Sequence, residues 1–413
     1  MIKVGRYTAA LLLVLVGAAL LMDQTRDTTY VEEIIQWWPF IIISFGIEYL
    51  LFQLKNNNDR DVKIDIKSVI LSLIIVLALS GLTSGFPVSV LNQLEWVNYR
   101  SATENDMKFE KEAEMISFSE NTNKLYIENL NGKIDIKPTD QQDFKFETTI
   151  YVSKMDQENA KKIVNESKLE WSEGNTLQVF AKGKEYYKFG LKYKPKINLV
   201  IHVPESRAID IQLKMKNGSS IVTDVSVLNY LEVDTTNGDI HITNIDGKVI
   251  ANTTNGNIEV YSIGGNTVLD TTNGNVFAKD IVGNFSADTT NGKIEGEMID
   301  GKVEADTTNG SITLVEVYDE VTADTTNGGI KVKSQVVDGS WYLDTTNQSI
   351  EVILPENEDF TFRAESNAGG FSSDFPFYID KKLMGGIVGT GEHKIAAYTS
   401  NGSVIVKKWD LEL

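Results

Sequence analysis

The pentapeptide Asp-Thr-Thr-Asn-Gly recurs with its asparagine at positions 237, 273, 291, 309 and 327, and Asn252-Thr-Thr-Asn255-Gly fills the one gap, so the interval is 18 residues throughout. Asp344-Thr-Thr-Asn347-Gln continues the series after a two-residue insertion, and Asn131-Gly132, Asn217-Gly218 and Asn401-Gly402 are weaker copies. A unit this short cannot bury an apolar face alone and must stack on its neighbours. Aligned on the asparagine, the apolar positions fall at intervals of two. Val233, Ala251, Leu269, Ala287, Ala305 and Ala323 stand four before it, and Ile240, Ile258, Val276, Ile294, Ile312 and Ile330 stand three after it. The first Thr of each pair shares the parity of the former group. Eight after the asparagine come Ile245, Ile263, Ile281, Ile299 and Val317, and ten after it Gly247, Gly265, Gly283 and Gly301 mark a second corner.

Each unit therefore reads as a strand, an Asn-Gly corner, a second strand and a Gly corner. Coiling each unit into one rung, with strands pairing in parallel to rungs about 4.8 Å above and below, pairs the backbone and sends the apolar columns inward. Asn-Gly is expected at the corner because both residues tolerate positive φ. An array of antiparallel hairpins is the rival arrangement, since Asn-Gly is also a hairpin turn. The expected fold is all-β, a parallel β-solenoid with 18-residue rungs, preceded by an α-helical transmembrane segment of about three helices.

That membrane segment rests on apolar stretches over about 7–22, 34–54 and 68–90. The second and third meet the roughly 20 residues that a helix needs to cross a bilayer. Lys3 and Arg6 precede the first stretch and Lys55, Arg60, Lys63 and Lys67 lie between the second and third, whereas 23–33 holds only Arg26. The positive-inside rule then places the N-terminus in the cytoplasm and everything after about residue 91 outside. A signal peptide is the competing reading of 1–22, but Met22-Asp23 lacks a small-residue cleavage site. Glu48, the one ionisable residue well inside a span, is a candidate partner for Arg6, with snorkelling to the headgroups as the plainer alternative.

Beyond the spans the chain divides into a linker over 91–117, an irregular β region over 118–216, the regular repeats over 217–352 and divergent rungs with a cap over 353–413. Asp156–Ser167 carries one short helix, Lys196–Val203 alternates as a strand, and Phe360–Ala364 and Gly391–Val406 read as diverged rungs. Lys407, Lys408, Asp410 and Glu412 charge what reads as the last edge, which discourages end-to-end stacking.

The net charge of -19 argues against nucleic-acid binding and suits a self-repelling ectodomain. Cysteine is absent, so disulfides and thiolate chemistry are excluded. His202, His241 and His393 lack metal-ligand spacing, no phosphate loop opens a helix, and no cofactor is implied. The outward column Asp234, Asn252, Asp270, Asp288, Asp306, Asp324 and Asp344 has two readings: corner carboxylates that accept hydrogen bonds from backbone and Thr, or a cation-binding stripe centred on Asp270, Asp288 and Asp306. Asn252 shows that a neutral side chain fits the position. A glycosidase pair is a weaker reading, because every rung repeats the same carboxylate and nothing separates acid from nucleophile. In 182–196, Tyr187, Phe189, Leu191 and Tyr193 share one face of a strand and Lys188, Lys192 and Lys194 the other, a half-buried strand or a basic patch for anionic lipid or anionic wall polymer.

The recurrent Thr-Thr-Asn-Gly-x-Ile rungs, the Val203-Pro204 step, Ser366-Asn-Ala-Gly-Gly, Ser372-Ser-Asp-Phe-Pro376 and Gly389-Thr-Gly resemble the bacterial candidate-adhesin β-strand-repeat family, a domain of unknown function. Trp37-Trp38-Pro39 after a short first span resembles the membrane region of Lia-type envelope-stress proteins. The resemblance implies no catalytic residues. The leading expectation is a non-catalytic surface for adhesion or scaffolding at the cell envelope. A regulatory subunit of envelope-stress signalling, holding a membrane-protein partner through the spans, is the alternative.

Overall fold

In the computed structural model, which describes residues 2–4, 14, 46–48, 62–64, 100–188 and 191–409, each strand of the repeat pairs in parallel with the strand one unit further on. Asp-containing strands such as Thr267–Thr271, Phe285–Thr289 and Val303–Thr307 stack in one 15-stranded sheet, and Val276–Ile281, Ile294–Ile299 and Ile312–Val317 in a second. The arrangement is mostly β, parallel-rich and solenoid-like, so the hairpin array is excluded. Register is residue for residue: Asp270 lies beside Asp288 and Ile281 beside Ile299.

The core follows from parity. Leu269, Ala287, Ala305 and Ala323 face Val260, Ala278, Leu314 and Val332 across the interior, all of them essentially inaccessible. The first Thr of each pair is inward too, and its hydroxyl is satisfied by the rung before it. Thr271, Thr289, Thr307 and Thr325 donate to the carbonyls of Gly256, Gly274, Gly292 and Gly310 at 3.0, 3.0, 2.9 and 2.9 Å. A buried hydroxyl without such a partner would cost about 1–3 kcal/mol. Outside, the repeat asparagines form a ladder from Asn217 to Asn401, each Nδ2 donating to the Oδ1 of the preceding rung at 2.8–2.9 Å.

The glycine after the asparagine has positive φ at Gly132 and Gly218, but from Gly238 to Gly328 it serves close approach and not positive φ. A left-handed bend falls seven residues after the asparagine: Asp224, Asn244, Ser262, Asp280, Met298 and Glu316 have φ between 54° and 60°. A Cβ on Gly274 would lie 1.7 Å from the Gly256 carbonyl oxygen, and one on Gly292 1.6 Å from that of Gly274. Stacked backbones at the corner thus leave no room for a side chain. The single left-handed residue shifts strand parity by one, which is how Ile263, Ile281 and Ile299 turn inward after an outward-facing neighbour.

Rung order departs from chain order at both ends. The first rung, Lys124–Asn131 with Ile134–Thr139, lies between the rung 210–223 and strands Thr176–Lys182 and Lys196–Pro204, which come later in the chain. At the other end the final strands, His393–Thr399 and Val404–Lys408, insert between Trp341–Leu354 and the rung of Phe360–Ser366 and Phe371–Ser373. Of the expected charged last edge, Lys407 and Lys408 therefore lie on an interior strand, and Asp410 and Glu412 fall outside the described residues. Antiparallel strands close both sheets at one end, Lys168–Ser172 on the first and Phe144–Val152 with Met107–Glu110 on the second; at the other end Leu383–Val388 and Tyr378–Asp380 close the first sheet, and the second ends in the parallel strand Phe371–Ser373.

The helix Gln157–Glu166 starts where the Asp156 carboxylate accepts the Asn159 amide at 2.9 Å, buries Ala160, Ile163 and Val164, and stops where the Ser167 hydroxyl donates to the Ile163 carbonyl at 2.8 Å. Lys182–Lys196 is not one strand. Tyr186–Lys188 turns back on Leu191–Lys194 in an antiparallel hairpin, with Leu191–Lys194 also parallel to Arg100–Ser101. The reversal changes parity, so Tyr186 stacks on Tyr193 at 5.7 Å and Tyr187 shares a face with Lys192.

The chain forms two compact units, one of Met1–Ala102 with Glu185–Lys194 and one of Thr103–Lys184 with Pro195–Leu413. In the first, Ile2–Val4 pairs in parallel with Val62–Ile64. The expected spans fall outside the described residues apart from Val14 and 46–48, and among the described residues no helix is long and apolar enough to cross a membrane.

Candidate functional site

Parity places a continuous outer face on the sheet that carries the Asp column. In register from rung to rung run Lys214, Asp234, Asn252, Asp270, Asp288, Asp306, Asp324, Asp344 and Tyr398. Asn252 donates to Asp234 at 2.7 Å and Tyr342 to Asp344 at 3.2 Å, but the carboxylates of Asp270, Asp288, Asp306 and Asp324 have no hydrogen-bond donor among the described residues. Expected relief from the Thr pairs is absent because the first Thr points inward to a glycine carbonyl. Partial burial and the adjacent Asp288 push the Asp270 carboxyl up, and burial with Asp324, Asp288 and Glu304 does the same for Asp306. Asp324 is raised by burial and Asp344. The carboxylates stack one rung apart instead of converging, and no group of three or more acidic or histidine side chains among the described residues is placed to hold a metal ion.

Two residues along each strand runs a second outward row, in which Gln178, Tyr126, Gln212, Glu232, Ile250, Val268, Ser286, Glu304, Thr322 and Tyr342 are register neighbours. It holds two depressions. One, of about 370 Å³, is lined by Tyr126, Phe180, Gln178 and Gln212, and the other, of about 420 Å³, opens over Val268, Ser286, Glu304 and Thr322, beside Lys248 and the Lys302–Glu320 ion pair. Neither was evident in the sequence, since the first joins strands distant in the chain. The signal that existed was the outward parity of Tyr126 and Gln212.

Of the other predicted residues, Lys192 and Lys194 both pair with Glu185, at 2.5 and 3.0 Å, and these lysines hold that carboxyl below its usual range against the opposing effect of burial. Lys188 lies in the same hairpin; its side chain is outside the described residues. Glu48 is buried and engaged, and Arg6 lies outside the described residues. His202 approaches Glu147 at 3.3 Å, His241 approaches Glu259 at 3.4 Å, and His393 sits on the final rung far along the chain from both.

Residues 8–95 match the LiaF transmembrane domain, and residues 122–407 match the family described as Toastrack DUF4097. Nothing among curated proteins matches the chain. Solved structures that align include a candidate adhesin from Parabacteroides distasonis ATCC 8503, 11% identical over 75% of this chain and 100% of that one with a TM-score of 0.30. A candidate adhesin from Bacteroides fragilis NCTC 9343 is 12% identical over 74% and 99%, with a TM-score of 0.24. A candidate lipid-binding protein from Parabacteroides distasonis ATCC 8503 is 15% identical over 75% and 99%, with a TM-score of 0.28. Superpositions this loose add nothing to the strand pairings. With the matched segment running over 122–407 and taking in nearly all of both long sheets, the chain belongs to the Toastrack DUF4097 family.

Proposed function

We propose that this protein is held in the cytoplasmic membrane by three N-terminal spans, with its N-terminus inside, and displays the repeat domain outside as a rigid, non-catalytic surface for adhesion or scaffolding. The observation that carries the reading is the union in one chain of a LiaF-type transmembrane match over residues 8–95 with two uninterrupted, laddered sheets beyond it. Rigid ladders of buried Thr and exposed Asn suit a surface whose spacing must not vary. Pairing of Ile2–Val4 with Val62–Ile64 supports the topology, because it requires the N-terminus and the loop after the second expected span to meet on one side. Protease added to intact spheroplasts should remove the repeat domain while an N-terminal tag stays protected. Protection of the repeats until the membrane is breached would reverse the orientation.

A second reading, regulation of envelope-stress signalling, is favoured by the same LiaF-type match. Under it residues 1–95 hold a stoichiometric membrane-protein partner. Crosslinking in membranes followed by pull-down, with residues 1–95 expressed alone as competitor, separates the two: a partner displaced by the competitor supports the regulator.

A further inference from the structure

We infer that the outward row from Tyr126 to Tyr342 is a track for a neutral linear polysaccharide lying across the rungs, and this inference rests on the outward-display reading above. Tyr126 sits at one end with Gln178 and Gln212 in register on either side, each about 4.8 Å away along the sheet. Neither glutamine amide has a partner among the described residues. Each offers a donor and an acceptor, so the two bracket a ligand that has an apolar ring face and hydroxyls on its rim. Phe180 forms a side wall, its ring 6.0 Å from that of Tyr126.

Charges of both signs stand beside this platform. Lys124 lies over the Tyr230 ring at 5.6 Å, Lys182 over Phe180 at 4.8 Å, and Glu128 accepts the Tyr126 hydroxyl at 3.1 Å. Two ammonium groups beside one carboxylate give this platform a mixed field, without the single-signed patch that would select a charged ligand. From Glu232 onward the carboxylates of Glu232 and Glu304 in the row and the neighbouring Asp column repel an anionic polymer, which disfavours anionic wall polymers on this path. Beyond the first platform the row continues through Glu232 and Ile250 to Val268, Ser286, Glu304 and Thr322, which line the second depression, and reaches Tyr342, whose ring is tilted against that of Tyr398 at 5.4 Å. Eight rung steps separate Tyr126 from Tyr342 in the register, a path of about 38 Å at the usual strand spacing. Two collinear depressions with an aromatic ring near each end fit a repeating chain of sugar rings and not a single small molecule. A peptide adding as a strand has no place on this face, because its backbone groups are all paired within the sheet.

The test uses the full chain in nanodiscs, with cellohexaose and the β-1,4-linked N-acetylglucosamine hexamer as probes and oligolysine as a charged comparator, read by saturation-transfer NMR and calorimetry. At least one glycan should bind saturably. Tyr126→Ala should weaken it by about tenfold, as loss of one ring contact implies, with smaller losses for Gln178→Ala and Tyr342→Ala. Tyr261→Ala, on the other sheet, should leave binding unchanged, and matching melting curves should verify that each variant is folded. Absence of saturable binding by either glycan would overturn the inference, as would indifference to Tyr126→Ala. Binding of oligolysine alone, lost on Asp270→Asn with Asp288→Asn, would also overturn it. Because binding is measured on purified protein, it is independent of the spheroplast result: glycan binding with a cytoplasmic repeat domain would sink the display reading alone.

Discussion

Asp270 and Thr271 are adjacent in the chain and opposite in circumstance: the Thr hydroxyl is buried and bonded to the Gly256 carbonyl, while the carboxylate faces outward beside Asp288 with no donor. Two unit charges about 5 Å apart repel by roughly 0.8 kcal/mol even in water. Partial burial first, and this repulsion second, raise the carboxyls of Asp270, Asp306 and Asp324. A folded-state pKa above the unfolded one means that native protein binds more protons in the window just above the ordinary aspartate range, so stability should rise as pH falls from neutral into that window. Lower still, the trend should reverse as carboxylates held down by lysines, such as Glu351, Glu166 and Glu104, are protonated. Asp270→Asn, Asp288→Asn and Asp306→Asn together should raise the neutral-pH Tm and flatten its rise on mild acidification. An unchanged pH profile in thermal melts would show that solvent already screens the column. The corner residues make a second, separable prediction. Gly274→Ala forces a Cβ to 1.7 Å from a backbone oxygen and should cost at least about 2 kcal/mol. Met298→Asn, at φ 54°, places a residue suited to left-handed backbone and should stabilise by up to about 1 kcal/mol. Denaturant melts of the two variants should move in opposite directions.

The rung is the element that the sequence makes legible, because its inward columns are chemically uniform: Ile or Val after the corner, Val, Leu or Ala before it, Thr between. The left-handed bend was not legible, since Asp224, Asn244, Ser262, Asp280, Met298 and Glu316 share a backbone conformation and no side-chain chemistry. Its strain is carried by the surrounding register, which fixes Ile281 inward whatever stands at 280. Stacking of glycine against glycine was equally hidden, because Asn-Gly satisfies both a positive-φ turn and a crowded corner. The 182–196 hairpin reads as one strand in the sequence because its alternation continues through a reversal that changes its phase. Since one period equals one rung, deletion of 271–288 should join matching positions and keep a cooperative, β-rich unfolding transition with a modestly lower Tm. Deletion of 271–279 should bring a strand against a corner, break the Thr, Asn and Gly columns together and abolish cooperative melting by circular dichroism. Equal damage from the two deletions would mean that the columns do not set the register.

At the scale of the molecule, stacked rungs face the hazard of open sheet edges, and here the chain threads its late strands back into the stack. His393–Thr399 and Val404–Lys408 each pair on both sides, with Trp341–Thr345 and Ile350–Leu354 on one and Phe360–Ser366 and Phe371–Ser373 on the other. The last rung of the sequence is thus an interior rung, and the outermost strand of its sheet is Tyr378–Asp380, whose three residues are all exposed. The divergent sequence after Pro355 hid this order, because a rung that skips a neighbour in the chain still carries the ordinary alternation. The arrangement joins the end of the chain to the stability of the whole, since frayed ends could open only by unzipping two ladders at once. Amide exchange should therefore depart from the usual rule that chain termini exchange first. Amides of Ile395–Thr399 and Val404–Val406 should be protected to nearly the same degree as those of the central rungs around Leu269 and Ala287, whereas Tyr378–Asp380 should exchange orders of magnitude faster. Hydrogen exchange of the full chain followed by mass spectrometry measures both regions in one experiment. Rapid exchange over Val404–Val406, with protection confined to residues before Pro355, would place the final strands outside the stack and refute the interleaved order.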